Sequence, residues 1–368
     1  MVTPLMEWMA PAPGVALRHT GVVVQPQAKE PSIGEITTIG LDLAKNVFQV
    51  HAVGHDGKIV LRRQVRRAQV LEFFAKLGPC LIGMEACAGA HYWARELAKV
   101  GHDVRLMPPT YVKPYVKRGK TDAIDAEAIC EAVTRPNMRF VPVKTEDQQA
   151  VLMTHRARDF LVRQQTQLSN AIRAHLGEFG IVTAKGVHNV ERLLTLAKAA
   201  SLPAPARQSI QLLADQFRDT HDRIEAITTD IKAEAQKDAV AKRLQTIPGV
   251  GPITASAVAA SVPDVSNFKE ARDLSAWIGL TPKPHSSGGK ERLGKITKMG
   301  NRYLRRLLYL GALAQITARS HRPAGEDWLW KMLQRKPVKL VAIALAARMA
   351  RIIWALIKTG DTYRDQTA

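Results

Sequence analysis

Four acidic residues in the first third of the chain have the types and the spacing of a metal site. They are Asp42, Glu85, Asp122 and Asp125, and each stands near a predicted strand or helix boundary. Such carboxylates could hold two Mg²⁺ ions roughly 3.5 to 4 Å apart, one activating an attacking oxygen and the other a leaving oxygen. The 368-residue chain has a formal net charge of +20, which favours a polyanionic partner. The pattern predicts Mg²⁺-dependent chemistry on a nucleic acid.

Predicted strands and helices alternate around these acids. Residues 36–53 are rich in β-branched residues and predict a strand, a break and a second strand, with Asp42 in the apolar first half. A third strand and a short helix follow, and Glu85 ends the next apolar run. A helix over residues 91–100 leads into a strand closed by two prolines. This order is expected of a ribonuclease-H-like or RuvC-like domain, although periodicity alone supports only a mixed α/β sheet.

Each acid also has a purely structural interpretation. Asp42 could cap the turn after its strand, and Glu85 could cap the helix that follows. Asp122 and Asp125 have the spacing of an N-cap and an N3 acid, which places both on one helix face about 5 to 6 Å apart at Cβ. The full set of four favours a metal site, since an unpaired charge in the apolar strand of Asp42 is costly.

Composition and cysteine usage predict a protein of the reducing cytoplasm, where it would associate with the nucleoid. The hydrophobic content of 46% is enough for two or three domain cores. No apolar run reaches the roughly 18 residues that span a bilayer, so no membrane partner is expected. The three cysteines are odd in number and lack C-x-x-C spacing, which argues against disulfides and zinc.

Positive charge is concentrated in the last third of the chain. Residues 241–368 contain 22 Lys and Arg against 8 Asp and Glu, an excess of 14. Within this region P-G-V-G-P separates two apolar helices, and the backbone amides around Gly249 and Gly251 could hold a phosphate, as in a helix-hairpin-helix motif. A plain turn between packed helices is the alternative.

Two adjacent serines, Ser286 and Ser287, precede two glycines in a basic segment of the same region. Dense positive charge could activate a serine hydroxyl and offset charge on a phosphorane-like transition state, whereas an isolated S-S-G-G sequence is usually a polar turn. The nucleic-acid-binding residues predicted in this segment are Lys290, Arg292, Lys295, Lys298, Arg302, Arg305 and Arg306.

Two long polar helices are predicted between the acidic and the basic regions. The first lies within residues 147–180 and the second within residues 208–236, with apolar residues at helical spacings. A break that contains Gly186, Pro203 and Pro205 separates them. We expect either an antiparallel coiled-coil arm, able to join protomers or span a nucleic acid, or a helical bundle packed on the first domain.

Five segments in order resemble the insertion-sequence 110 family of transposases, and their wording is most similar to its eleven-eleven subgroup. The similarity extends from about Ile36 to Ala350. The segments are GLDLAKNVF, GMEACAGAHYWAR, KTDAIDAEAI, IPGVGPITA and WIGLTPKPHSSGGKERLGKITKMGNRYLRRLL.

This resemblance implies more than the spacing shows. It implies a RuvC-like DEDD domain, a coiled-coil arm, and a mainly α transposase domain with a catalytic serine. It also implies donor and target DNA, a structured bridge RNA that pairs with both, a homo-oligomer (dimer or tetramer), Mg²⁺ at the acids and a transient phosphoserine link to DNA. The DEDD acids then correspond to Asp42, Glu85, Asp122 and Asp125, and the nucleophile to Ser287, with Ser286 as an alternative.

Two other functions fit the same residues. A structure-specific, junction-resolving DNA nuclease would use the acids with Mg²⁺ and water and no serine chemistry, and a nucleic-acid-binding scaffold would need no chemistry at all. The expected organisation is an N-terminal extension (1–35), a RuvC-like domain (36–145), a helical arm (146–240), a transposase domain (241–358) and a tail (359–368).

Overall fold

The computed structural model describes residues 36–117, 119, 121–262, 264–286, 288–290, 292–320 and 327–364. The N-terminal extension expected over residues 1–35 lies outside the described residues. The same is true of Ser287, the serine that the family resemblance favours.

A five-stranded mixed sheet organises the first part of the chain. Its strands are β1 (Thr38–Asp42), β2 (Val47–Val53), β3 (Ile59–Arg66), β4 (Leu81–Glu85) and β5 (Asp103–Met107). The strand order is β3-β2-β1-β4-β5, with β1 to β3 an antiparallel meander and β4 and β5 parallel to β1. A meander followed by alternating strands and helices is the predicted order, and this mixed α/β sheet fits a RuvC-like DEDD transposase domain.

Helices cover both faces of this sheet. They are α1 (Val70–Ala75), α2 (Ala90–Lys99), α3 (Pro109–Val112) and α4 (Asp122–Val133). Alternate strand residues such as Phe48 and Ile82 pack with Phe74 of α1 and Trp93 of α2. The opposite face is covered by α4, whose buried residues share a cluster with β5 and α3. We refer to this second face as the α4 face.

Two glycines allow α4 to lie directly on the sheet. A Cβ atom at Gly40 of β1 would lie 2.0 Å from the carbonyl oxygen of Ala126, and one at Gly83 of β4 would lie 2.7 Å from the Cβ of Val133. Any larger residue would therefore push the helix away from these strands.

Two long antiparallel helices follow. They are α5 (Glu146–Gly177) and α7 (Ala204–Lys237), with α6 (Val190–Ala199) between them. Gln165 Nε2 on α5 lies 3.0 Å from His221 Nδ1 on α7, and Arg158 Nε on α5 donates to Thr228 Oγ1 on α7 at 2.6 Å. An earlier residue of α5 thus contacts a later residue of α7, so the two helices run in opposite directions. The predicted antiparallel pair is therefore present, whereas coiled-coil packing within it stays a proposal.

The break between the two long helices is more structured than the sequence predicted. It contains α6, whose residue Leu193 packs with Ile172, Leu176 and Phe217 at the far end of the pair. Pro205 lies in the first turn of α7 rather than in the break, because a proline there loses no intrahelical hydrogen bond.

The C-terminal region is mainly helical. Its elements are α8 (Ala239–Leu244), α9 (Pro252–Ser261), α10 (Ala271–Trp277), β6 (Pro282–Pro284), β7 (Leu293–Ile296), α11 (Arg302–Ser320), α12 (Trp328–Leu333) and α13 (Val338–Thr359). Within the described ranges, α13 is the one helix that is long and apolar enough to cross a membrane. One of its faces is buried against α9 to α11, which is how the core helix of a globular domain behaves.

The α5–α7 pair packs on this C-terminal region through the part of α5 that contains His155 and Asp159. The ring of His155 on α5 lies 3.1 Å from both Tyr303 Oη and Ser256 Oγ, and Asp159 forms an ion pair with Arg306. Burial lowers the pKa of His155 to about 4, so the ring is neutral at neutral pH. The sequence allowed a coiled-coil arm or a helical bundle packed on the first domain. These contacts join the helices to the C-terminal region, so a bundle packed on the first domain alone does not describe them.

Candidate active site

Three aspartates converge at one end of the sheet. Asp42 is the last residue of β1, and Asp122 and Asp125 lie in the first turn of α4. One carboxylate oxygen from each lies within 4.8 Å of those from the other two. Residues 80 positions apart in the chain therefore form a compact acidic cluster, which we call the carboxylate site.

The packing of β1 against α4 explains this convergence. Side chains alternate along a strand, so Asp42 lies on the same α4 face as Gly40 two residues earlier. Thr121 is the N-cap of α4 and accepts a hydrogen bond from the Ile124 amide at 3.3 Å, which fixes the first turn. The structural interpretation of Asp122 as the N-cap is therefore wrong, and its carboxylate is not used to cap the helix.

Glu85 approaches from the neighbouring strand. The parallel register pairs Leu41 with Met84, so Glu85, the last residue of β4, lies beside the end of β1 and on the α4 face with Gly83. Burial, followed by the charges of Glu85 and Asp42, raises the pKa of the Cys87 thiol near both. Glu85 is outside the 4.8 Å cluster, so the structure gathers three of the four predicted acids and places the fourth on the adjoining strand.

Glu85 also does not have the alternative role of capping α2. The N-cap of that helix is Gly89, which has a positive φ of 85° and no side-chain hydrogen bond. The structure thus excludes two of the purely structural roles, Asp122 as the N-cap of α4 and Glu85 as the cap of α2.

The carboxylate site has the chemistry and size for a divalent cation. Mg²⁺ takes oxygen ligands at roughly 2.0 to 2.1 Å in octahedral geometry, so opposite ligands lie about 4 Å apart. Adjacent ligands lie about 3 Å apart, so oxygens within 4.8 Å of one another can reach octahedral spacing through rotations of the aspartate side chains. The residues present therefore fit a divalent ion bound by Asp42, Asp122 and Asp125.

The signal that sequence reasoning missed is the glycine two residues before each strand acid. Gly40 in G-L-D and Gly83 in G-M-E occupy the positions where α4 crosses the sheet. Repeated G-x-acid at the ends of two apolar strands could have indicated that one helix covers both.

The P-G-V-G-P turn packs partly against α11. A Cβ at Gly311 would lie 2.1 Å from the carbonyl oxygen of Gly249, and Gln315 Nε2 donates to the Pro248 carbonyl. Gly249 is therefore a packing residue, whereas Gly251, the N-cap of α9, is exposed and has open space around it. Of the two predicted phosphate-contacting glycines, Gly251 is the accessible one.

Ser286 lies in the loop of a two-stranded hairpin of β6 and β7, which we call the serine hairpin. Ser286 Oγ accepts a hydrogen bond from the Arg292 amide at 3.2 Å, and the His285 amide donates to the Arg292 carbonyl at 2.8 Å. Gly288 and Gly289 both have positive φ, so the loop needs their conformational freedom. Ser286 is therefore already engaged in holding the loop closed.

Seven basic residues were predicted to bind nucleic acid around this hairpin, and the structure divides them. Arg305 Nη1 donates to the carbonyls of Ile278 and Met299 at 2.7 and 2.8 Å, and Arg306 pairs with Asp159. These two guanidinium groups hold the base of the hairpin and the arm. The other five are exposed: Lys290, Arg292, Lys295, Lys298 and Arg302.

Comparison with known proteins gives consistent matches over most of the chain. Residues 39–181 match a family described as Transposase and named for the DEDD residues and IS110, and residues 241–326 match the Transposase IS116/IS110/IS902 family. A probable family 20 transposase of Pseudomonas aeruginosa is 50% identical, over 89% of this chain and 99% of its own length. The transposase for IS1328 of Yersinia enterocolitica is 41% identical (89% and 98%), and that for IS1111A of Coxiella burnetii is 38% identical (95% and 97%).

Proposed function

The chain belongs to the IS110 family of transposases, in its IS1111 type, and on that premise we propose that it cuts and rejoins DNA with a metal-binding carboxylate site and a serine nucleophile. As an insertion-sequence transposase it is an enzyme that acts on DNA. The observation that carries the chemical part of the proposal is the convergence of Asp42, Asp122 and Asp125 within 4.8 Å.

In the proposed site the acids hold Mg²⁺ and the serine attacks. Asp42, Asp122 and Asp125 are the ligands, and Glu85 completes the set from β4. The bound ion would neutralise charge on the phosphate oxygens and stabilise the leaving oxygen. Because the contact of β1 with α4 fixes the positions of these carboxylates, they would hold the ion at a defined place beside the scissile phosphate.

Ser287 provides the nucleophile in this proposal, since Ser286 is engaged with the Arg292 amide. Its hydroxyl loses a proton and forms a bond to phosphorus as the bond to one DNA oxygen breaks, and that oxygen takes up a proton. A DNA hydroxyl later attacks the phosphoserine, forms the new phosphodiester and returns the serine. Exposed Lys290 and Arg292 offset the extra negative charge of the transition state.

The partners follow from the same proposal. We propose that a structured bridge RNA guides the choice of donor and target DNA, and that a homo-oligomer (dimer or tetramer) brings the serine hairpin of one protomer to the carboxylate site of another. Exposed Gly251 and the five exposed basic residues would hold phosphates. Such a protein works where chromosomal DNA is, in the cytoplasm at the nucleoid.

Strand cleavage with Mg²⁺ tests the carboxylate site. Asp125→Asn should lower cleavage of a nicked or junction DNA by about a hundredfold to a thousandfold, because a metal ligand is lost. DNA binding should stay near the wild-type level. The matched control is Glu131→Gln on the same helix, where Glu131 forms an exposed ion pair with Arg135. Wild-type cleavage by Asp125→Asn would remove this residue from the site.

Covalent capture separates the alternatives. Ser287→Ala should lose both strand exchange and the covalent protein–DNA adduct, whereas Ser286→Ala should retain the adduct. A junction-resolving nuclease would keep cutting after Ser287→Ala, and a scaffold would cut under neither condition. Sequencing the nucleic acid that copurifies with the full chain tests the RNA, for which one discrete structured species is expected.

A further inference from the structure

The α4 face holds a cleft beside the carboxylate site that the proposed chemistry does not use. It has a volume of about 120 Å³. Its walls come from β2, β3 and the first turn of α4, and include Gln49, His51, Arg62, Gln64 and Ala123. Since Ala123 directly follows the first aspartate of α4, the cleft adjoins the carboxylates.

The register of the sheet produces a polar row that leads into this cleft. Asp42 on β1 pairs with Gln49 on β2, and Gln49 pairs with Gln64 on β3. Paired residues on neighbouring strands share a face, so both amides lie on the α4 face with Asp42. Because adjacent strands are about 4.7 to 4.9 Å apart, Gln64 lies roughly 10 Å from Asp42 at Cα, at the edge of the sheet.

The next row contains a buried histidine with an unused hydrogen-bonding atom. His51 is 4% exposed, and its Nδ1 has no hydrogen-bond partner among the residues that the structure describes. Burial, and then the charge of Arg62, lowers the pKa of His51, so the ring is neutral. Buried polar atoms in native proteins are almost always paired. An unpaired one in the wall of a cleft therefore indicates a ligand atom or a water at that place.

The charge around the cleft is positive. Arg62 Nη2 donates to Glu127 Oε2 at 3.1 Å, and Lys117 also pairs with Glu127, so two cations share one anion. Arg66 is exposed on the same face as Gln64, two residues further along β3. Cations beside neutral amide and imidazole groups are the set that contacts phosphate and sugar oxygens of a nucleic acid.

We propose that this cleft and the adjoining edge of β3 bind the backbone phosphates of the DNA strand that enters the carboxylate site. The inference rests on the proposed function, because that function puts the scissile phosphate at the aspartates. Gln49 and Gln64 position the strand between the aspartates and Arg66, and no base is read there. These are positioning residues, distinct from the acids that would touch the reacting phosphate.

Crosslinking tests this placement directly. The full chain with Asp125→Asn is mixed, without metal, with a single-stranded DNA of mixed sequence, and Gln64 is replaced by a photo-crosslinking phenylalanine analogue. The same replacement at Lys58 is the control, since Lys58 lies just before β3 with its side chain 85% exposed. DNA crosslinked at position 64 and absent from position 58 is expected. Equal yields at both positions would overturn the proposal.

The salt dependence of binding gives a second measurement. Arg66→Gln should weaken binding of the same DNA and reduce the slope of log affinity against log salt by about 1, whereas Lys58→Gln should leave both unchanged. Thermal unfolding checks that each variant is folded. A salt slope unchanged by Arg66→Gln would overturn the proposal. So would an affinity of Arg66→Gln that is reduced for RNA of the same sequence and unchanged for the DNA. Cleavage retained by Asp125→Asn would instead remove the proposed function and leave the crosslinking result intact.

Discussion

The carboxylate site and the serine hairpin are held in place in different ways. The aspartates sit on β1 and α4, which approach each other so closely that only glycine fits at position 40. The serine hairpin is two short, largely exposed strands joined by a glycine-containing loop. Its support is at the base, where Arg305 binds two backbone carbonyls.

This difference indicates when each part reaches its working geometry. A site built on packed strands and helices is arranged before substrate binds, whereas an exposed loop gains its final position from the groups it meets. In the proposed reaction those groups are DNA phosphates and another protomer. The acids would then define the place in the protein at which the scissile phosphate is held. The arrival of the hairpin would determine when cleavage begins.

The largest expected effect comes from a packing change that displaces α4 and leaves every acidic residue in the sequence. Gly40→Ala places a methyl group 2.0 Å from the Ala126 carbonyl oxygen, so α4 must shift. We expect a loss of about 3 kcal/mol or more in stability, at the upper end for overpacking, together with loss of cleavage. Thermal unfolding and a cleavage assay measure the two effects.

The control is a glycine with free space. A Cβ at Gly177, at the end of α5, would meet nothing within 4 Å, so Gly177→Ala should be neutral or slightly stabilising. If Gly40→Ala unfolds at the wild-type temperature and still cleaves, the carboxylate site does not depend on this contact.

The fold of the first region was largely predictable from the sequence. Apolar, β-branched runs ending in Asp42 and Glu85 marked the strands, and their order gave the mixed sheet. The convergence of Asp42 with Asp125 was not derivable from spacing, because it depends on which sheet face α4 covers. That choice is made by Gly40 and Gly83, and the G-x-acid pattern is the one sign of it in the sequence.

A second prediction concerns the junction between the arm and the C-terminal region. His155 has a pKa of about 4 when folded against an ordinary 6.5, because it is buried. Between these values the unfolded chain binds the extra proton, so stability is complete above pH 6.5 and falls as the pH drops towards 4. The loss from this one group is on the order of 3 kcal/mol.

His155→Gln isolates that contribution, because glutamine does not titrate. The stability difference between the wild type and His155→Gln should shrink from pH 7 to pH 4.5, measured by thermal unfolding at each pH. His91, whose pKa burial also lowers to about 4, is present in both proteins and cancels. A difference that stays constant with pH would show that His155 is protonated without cost.

A third prediction separates structural from binding arginines at the base of the hairpin. Arg305→Ala leaves the Ile278 and Met299 carbonyls without this donor and should cost about 1 to 3 kcal/mol. Arg302→Ala, at an exposed position, should change stability by less than about 0.5 kcal/mol and reduce the salt slope of DNA binding by about 1. Equal stability losses in both would contradict this division.

Sequence reasoning could not make that division. Arg302, Arg305 and Arg306 occur in one basic run, and charge alone assigns all three to nucleic acid. Which of them is engaged within the protein depends on contacts with Asp159 on α5 and with the Ile278 carbonyl before the hairpin, both distant in the chain. Similarly, α6 was missed because its short apolar run gains stability only from the two long helices it packs against.

The smallest expected effect tests whether the hairpin is strained for binding. Lys298 has a φ of 56°, a left-handed conformation that asparagine tolerates better than lysine. Lys298→Asn should therefore raise stability by up to about 1 kcal/mol while weakening DNA binding through the lost charge. Lys295→Asn is the control, because it loses the same charge from the extended strand β7 and relieves no such conformation. If both variants weaken DNA binding and only Lys298→Asn unfolds at a higher temperature, Lys298 is kept at a cost in stability for its charge. An identical thermal response would show that the left-handed backbone is set by the turn around Gly300 rather than by the side chain.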